Sequence, residues 1–254
     1  VAWSLRFFTL PFLLPLLFFI PLAYDPVFLY ALLIWGALNV ITSILYIKAI
    51  KISPLSLTIP MLTFTPLFML LTSPIILGEF PSIAGIIGIC LIVFGSYLLN
   101  IQEVRKSLLA PFKALIKEKG PVLMLLVAFI WSITANIDKI AVLHSNPFFY
   151  AIVGNVFLSL ALFPIMFLKS KQNLKQFPIN IKALIPIGLF SALMFIFQLS
   201  AIMLTLVVYV IVIKRTSAIF SIFYGRFIFK EVNIKERLLG TIIMILGVLL
   251  ISLF

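Results

Sequence analysis

Lys214 and Arg215 stand side by side in "VVYVIVIKRTSAIFSIF" (207–223), an otherwise apolar stretch in which ionised groups are costly. At about 1.5 Å per residue the pair lies roughly 12 Å inside segment 206–229, deeper than an interfacial cation, although long stems can snorkel. On one continuous helix Lys214 would share its face with Ser217, Ser221 and Tyr224, while Arg215 would point about 100° away. A second polar face runs through "LVAFIWSITANIDKIAV" (126–142), where Ser132, Asn136 and Lys139 recur at helical spacing and Trp131 and Asp138 share the adjoining face. Asn155, Gln198 and Tyr209 add polar groups to further apolar segments. The expected substrate-binding set is therefore Trp131, Asn136, Asp138, Lys139, Asn155, Gln198, Tyr209 and Lys214.

Among these deep residues the cations Lys139, Lys214 and Arg215 face one carboxylate, Asp138. Such an excess suits an anionic or carboxylate-bearing solute. Two plainer readings stand beside it: Asp138 neutralises Lys214 or Arg215 while the amides and hydroxyls bond helix to helix, or Arg215 reaches lipid headgroups. Asp138 is also the acidic residue placed to carry a coupled proton.

Enzymatic chemistry is poorly provided for. His144 is the single histidine, no HExxH-type cluster or carboxylate pair occurs, and no serine has a base at useful spacing. No catalytic residue, cofactor or metal is expected. Cys90 stands alone in an apolar segment and reads as a core thiol. The formal charge of +12 does not imply nucleic acid, because the cations fall in short loops between apolar segments.

The elements that must position these groups are membrane helices. With 64% hydrophobic residues, 10% charged residues and a mean hydropathy of +1.30, the chain reads as an all-α polytopic membrane protein. A span needs about 20 apolar residues. Nine segments qualify: 3–23, 27–50, 54–77, 81–99, 120–141, 147–168, 182–204, 206–229 and 235–254. Pro54, Pro81, Pro121 and Pro147 stand at segment starts, where a missing N–H costs nothing. The opening run is too long for a signal-peptide core and lacks a small-residue cleavage site. Numbering the sides alternately gathers the basic residues, from Arg6, Lys48 and Lys51 to Lys235 and Arg237, on one side, which the positive-inside rule makes cytoplasmic.

An internal repeat organises the segments. At an offset of 152, "GEFPSIAGIIGICLIVFGSYLL" (78–99) lies on "KEVNIKERLLGTIIMILGVLLI" (230–251), matching Glu79 with Glu231, Gly88 with Gly240 and Gly95 with Gly247. Both glutamates precede a glycine-bearing helix, whose positive N-terminus they are expected to favour. The partner of segment 120–141 would fall before residue 1, so a parent of ten spans, five plus five, is expected. An odd number of spans per repeat inverts the second half. The divisions are a first repeat at 1–100, a basic amphipathic linker at 101–119 suited to anionic lipid, and a second repeat at 120–254.

The stretches "ISPLSLTIPMLTFTPLFMLLTSPIILGEFPSIAGIIGICLIVFGSYLL" (52–99), "LVAFIWSITANIDKIAV" (126–142) and "YVIVIKRTSAIFSIFYGRFIFKEVNIKERLLGTIIMILGVLL" (209–250) resemble the EamA-type members of the drug/metabolite transporter superfamily. The resemblance covers the whole chain and rests most on the duplicated unit of helix, acidic turn and glycine-bearing helix. It implies a ten-helix (5+5) inverted-repeat fold, nine helices of which are present, carrying a small metabolite across the cell membrane. It also implies cytoplasmic termini, whereas the charge count places the C-terminus outside. A lipid flippase-like protein of the same fold is the alternative; solute, direction, coupling ion and oligomeric state stay open.

Overall fold

The computed structural model describes residues 2–21, 24–101, 117–170, 172, 177–217, 220 and 234–253, and among them every regular element is helical. These are α1 (Ala2–Leu13), α2 (Pro26–Ile52), α3 (Leu55–Thr58), α4 (Thr65–Leu77), α5 (Ile83–Ile101), α6 (Lys119–Leu143), α7 (Pro147–Ser170), α8 (Phe177–Leu204), α9 (Val207–Lys214) and α10 (Ile234–Leu253). Most of the basic linker (102–116) lies outside the described residues, as do Ser221, Tyr224 and Glu231.

Five stretches are long and apolar enough to cross a bilayer: Pro26–Ile52, Ile59–Leu77, Lys119–Leu143, Pro147–Leu168 and Ile179–Leu204. Trp3–Phe18, Ile83–Leu98 and Leu239–Leu253 are shorter apolar helices. Large side chains such as Ile75, Leu168 and Leu204 stand more than four-fifths exposed. Water would penalise that exterior, and lipid does not.

Three expected helices are broken, each for a local reason. Segment 54–77 contains a 3-10 stretch, Ile59–Phe64, between α3 and α4. Pro60 cannot bond back to the preceding turn, and the Thr63 and Thr65 hydroxyls donate to the Pro60 and Leu62 carbonyls at 2.7 and 2.8 Å. Segment 3–23 tightens into a second 3-10 stretch, Leu14–Phe18, with Pro15 near its start. Segment 206–229 ends its first helix at Lys214. Arg215 and Thr216 donate backbone N–H groups to the Val212 and Ile213 carbonyls in tight three-residue turns, and the Thr216 hydroxyl takes Ile213 O at 2.6 Å. Ser221 and Tyr224, expected on the Lys214 face, lie outside the described residues.

The chain divides into two compact units that cut across the repeats. Residues 1–43 and 137–204 form unit 1, and residues 44–136 and 205–254 form unit 2. In unit 1, α1 packs along α7 and α8. Gly188 of α8 lies so close to the Phe8 backbone of α1 that a Cβ there would overlap it.

Unit 2 is built around the α5–α10 pair. A Cβ on Gly88 would sit 2.8 Å from Gly247 O, and one on Gly95 would sit 2.6 Å from Gly240 O. The pairing is crossed relative to the repeat: seven residues forward on α5 is seven residues back on α10, so the helices run antiparallel. Two copies of one element meeting around a twofold axis produce this exchange. The backbones of Pro54 (φ −56°, ψ 138°) and Leu206 (φ −64°, ψ 135°), 152 residues apart and each leading into a helix, also agree. Cys90, expected in a core, is exposed on α5, because the glycine face of that helix occupies the interface.

Candidate functional site

In unit 1, α1 is pinned to α7 at two levels. Trp3 Nε1 donates to Ser159 O at 3.1 Å, and one turn on, Arg6 Nη1 donates to Asn155 Oδ1 at 3.2 Å. The i, i+3 spacing on α1 thus meets an i, i+4 spacing on α7. Asn155 is 1% exposed, and its Nδ2 donates to Ala151 O at 2.8 Å, which turns Oδ1 toward the guanidinium.

Arg6 corrects the sequence reading. Its place near the start of an apolar run suggested a cytoplasmic loop cation, yet it lies within α1 with its guanidinium 5.7 Å from the centroid of Phe195, a cation–π contact. Nothing local announces this, because Asn155 is 149 positions away.

Asp138 completes the cluster. It is 6% exposed and accepts a hydrogen bond from the Tyr150 hydroxyl at 2.7 Å. Tyr150 is fully buried, edge-on to Trp35 at 5.5 Å and to Phe28 at 6.0 Å, with Phe195 at 6.4 Å. Arg6 lies within coulombic reach of both Asp138 and Tyr150. A cation and a carboxylate are thereby held in an aromatic wall, each fixed by a neutral polar partner.

A guanidinium carries five N–H donors. Among the described residues Arg6 makes one hydrogen bond, to Asn155. The rest of its planar fork is chemically suited to two oxygens of one carboxylate. Arg6 and Tyr150 were absent from the expected set; the signal for them was the match between the Trp3/Arg6 and Asn155/Ser159 spacings.

The eight expected residues divide between the units. Asp138, Lys139, Asn155 and Gln198 belong to unit 1, with Lys139 and Gln198 half-buried. Trp131, Asn136, Tyr209 and Lys214 belong to unit 2. Asn136 is fully buried and its amide is engaged on both sides: Oδ1 accepts from Ser73 Oγ at 2.7 Å, while Nδ2 donates to Thr72 Oγ1 at 3.0 Å and Ser132 O at 2.8 Å. That set of bonds ties α4 to α6. Trp131 stacks on Tyr46 at 6.0 Å beside the core of Ala49, Met61 and Met124. The Tyr209 hydroxyl rests against Gly85, and Lys214 is exposed at the end of α9.

Glu79 acts across unit 2. Its Oε2 accepts the Val207 N–H at 2.9 Å, so it caps α9 rather than α5, the helix that follows it in sequence. The N-terminal N–H of α5 region is met instead by Ser82, whose hydroxyl accepts from Gly85 N at 3.0 Å.

No curated protein matches the chain. The model of the EamA-like transporter family matches residues 1–101 and 118–253. Together with the apolar helices, this match identifies an integral membrane protein and a transporter: the chain belongs to the EamA-like transporter family.

Proposed function

We propose that the protein is a secondary transporter of the cell membrane that moves a small carboxylate-bearing metabolite, unchanged, by alternating access of its two inverted repeats. The observation that carries this reading is the Arg6 guanidinium, set among apolar helices, held by Asn155 and using one of its N–H groups among the described residues. Placing a guanidinium in such surroundings is expensive unless the fork is used. A solute carboxylate uses it, Asn155 fixes its angle, and the Trp35, Tyr150 and Phe195 rings offer an apolar wall for the remainder of the solute. Asp138 offsets the charge of Arg6 while the seat is empty. Lys139 and Gln198 are further candidates in the same unit, and Trp131, Asn136, Tyr209 and Lys214 are candidates in unit 2.

Counterflow of labelled carboxylate solutes in proteoliposomes tests the reading. Arg6→Lys keeps the charge and removes the planar fork, so uptake of the carboxylate falls by about tenfold or more while thermal stability changes little. Full uptake by Arg6→Lys removes Arg6 from the solute site. Recovery of a chemically altered solute would point to catalysis instead. Asp138 is the residue we assign to a coupled proton: Asp138→Asn abolishes uptake driven by a pH gradient and spares counterflow, and gradient-driven uptake that survives the change overturns that assignment.

A further inference from the structure

Arg215, in unit 2, is a second arginine set among apolar helices, with a buried Nε. It follows the last residue of α9, where the chain turns through Thr216. Its Nη2 donates to Thr65 Oγ1 at 3.2 Å. Thr65 is 2% exposed, and its hydroxyl is itself oriented, donating to Leu62 O at 2.8 Å. That leaves the threonine oxygen lone pairs to receive the guanidinium, so α4 holds the arginine head in one place.

Held this way, the guanidinium is incompletely satisfied. Nε is buried and has no hydrogen-bond partner among the described residues, nor does any described carboxylate pair with Arg215. An unmet N–H on a charged group is an expensive feature in a protein interior. The nearest ionisable neighbour in sequence, Lys214, is another cation. Among the acids of unit 2, Glu79 caps Val207, and Glu103 and Glu231 lie outside the described residues.

The geometry of the unmet donor indicates what it would accept. Nε–H and the second hydrogen of Nη2 project in parallel from one edge of the guanidinium, the side-on fork that takes two oxygens of a single phosphate or carboxylate. Thr65 takes one Nη2 hydrogen, which leaves Nε–H and a second Nη2 hydrogen for a ligand. We propose that Arg215 and Thr65 form an oxyanion-binding site in unit 2 whose ligand is a phosphate-type group. That group belongs either to a soluble anion or to a lipid headgroup, and the two sources share the same chemistry at Arg215.

Thermal unfolding of the full chain in phosphatidylcholine nanodiscs, followed by tryptophan fluorescence, tests the site with inorganic phosphate against sodium chloride of equal ionic strength. Phosphate raises the midpoint saturably in the wild type. Arg215→Gln removes the rise, and Thr65→Val, which frees the guanidinium without discharging it, weakens apparent phosphate affinity by about tenfold. Arg6→Gln leaves the rise intact, which separates this site from the solute seat. If phosphate has no effect but nanodiscs containing phosphatidylglycerol stabilise the wild type and not Arg215→Gln, the ligand is a lipid headgroup. The proposal is overturned if neither phosphate nor phosphatidylglycerol shifts the midpoint, or if Arg215→Gln responds as the wild type does. Should Arg215→Gln fail to fold, an unweakened phosphate response in Thr65→Val overturns it equally.

Discussion

Replacing Gly95 by Ala tests the α5–α10 interface directly. The added Cβ would stand 2.6 Å from Gly240 O, 2.6 Å from Met244 Cγ and 3.0 Å from Met244 N. Met244 can turn its side chain away, but a carbonyl and an amide of a helix cannot. Reaching ordinary contact at 3.4 Å requires the backbones to part by 0.8 Å at Gly95, and by 0.6 Å at Gly88, where Gly247 O lies at 2.8 Å. Overpacking of this kind costs about 1–3 kcal/mol, against a gain of about 1 kcal/mol from exchanging Gly for Ala in a helix. The net expectation is a loss of about 0–2 kcal/mol, larger at Gly95, where the approach is closer. Gly88 and Gly95 lie on one face, two turns apart, so a single separation relieves both contacts. Gly88→Ala/Gly95→Ala is therefore less damaging than the sum of its parts. Reversible unfolding in mixed micelles measures these differences, with Cys90→Ala, on the exposed face of the same helix, as a control expected within about 0.5 kcal/mol of wild type. Stabilisation by Gly95→Ala would mean that helix propensity acts unopposed and that the close approach does not exist.

Three further outcomes follow from individual contacts. Glu79→Ala leaves the Val207 N–H without its cap and costs about 1 kcal/mol, whereas Glu79→Gln keeps an acceptor and loses only the charge, at about half that cost; equal losses in thermal unfolding would refute a capping role. Tyr150→Phe preserves the ring contacts with Trp35 and Phe28 but takes the donor from buried Asp138, so uptake falls by about tenfold and stability drops by about 1–3 kcal/mol; unchanged uptake would remove Asp138 from the working site. The carboxyl of Asp25 is held below its ordinary value, chiefly by His144 Nδ1 at 2.6 Å and then by the Phe28 N–H at 3.1 Å. A depressed carboxyl stabilises the fold above its ordinary value of about 4 and loses that contribution as pH falls through the lower folded value, so His144→Ala lowers the midpoint above about pH 4 and flattens the acid limb of a midpoint-versus-pH curve.

The apolar segments were legible because lipid demands long hydrocarbon runs: α2, α6, α7 and α8 begin and end within a few residues of the expected spans. Their interruptions were less so. Pro60 was visible, but a proline alone does not say whether a membrane helix kinks or changes type, and the 3-10 stretch depends on threonine hydroxyls taking the released carbonyls. Thr216 ends α9 by the same device, and no periodicity reports it. The glycine repeat was legible as an offset of 152; that Gly88 meets Gly247 and Gly95 meets Gly240 emerges only when the two copies face each other. In the proposed site, Asp138 and Asn155 stand out in the sequence through rarity, since a carboxylate or amide inside an apolar run draws attention. Arg6 was missed because a cation near the start of such a run ordinarily fixes orientation. Rarity also singled out Asn136, whose amide bonds to Thr72, Ser73 and Ser132.

The two arginines set among apolar helices differ in what surrounds them, and the difference sets what each can do. Arg6 has a carboxylate within coulombic reach, so on the proposed reading its seat is near neutrality when empty and gains negative charge when a carboxylate solute enters. Moving that charge against a membrane potential costs about 2.3 kcal/mol per 100 mV. A proton taken up on Asp138 would cancel the cost, which links solute and proton at one cluster without a separate coupling site. Arg215 has a hydroxyl in place of a carboxylate, so it is cationic when empty and becomes neutral when an oxyanion binds. Binding there lowers the charge buried in lipid, and it favours an anion that stays. On this argument the neutral seat suits a ligand that must be released on the far side, and the cationic one suits a ligand that holds α9 against α4.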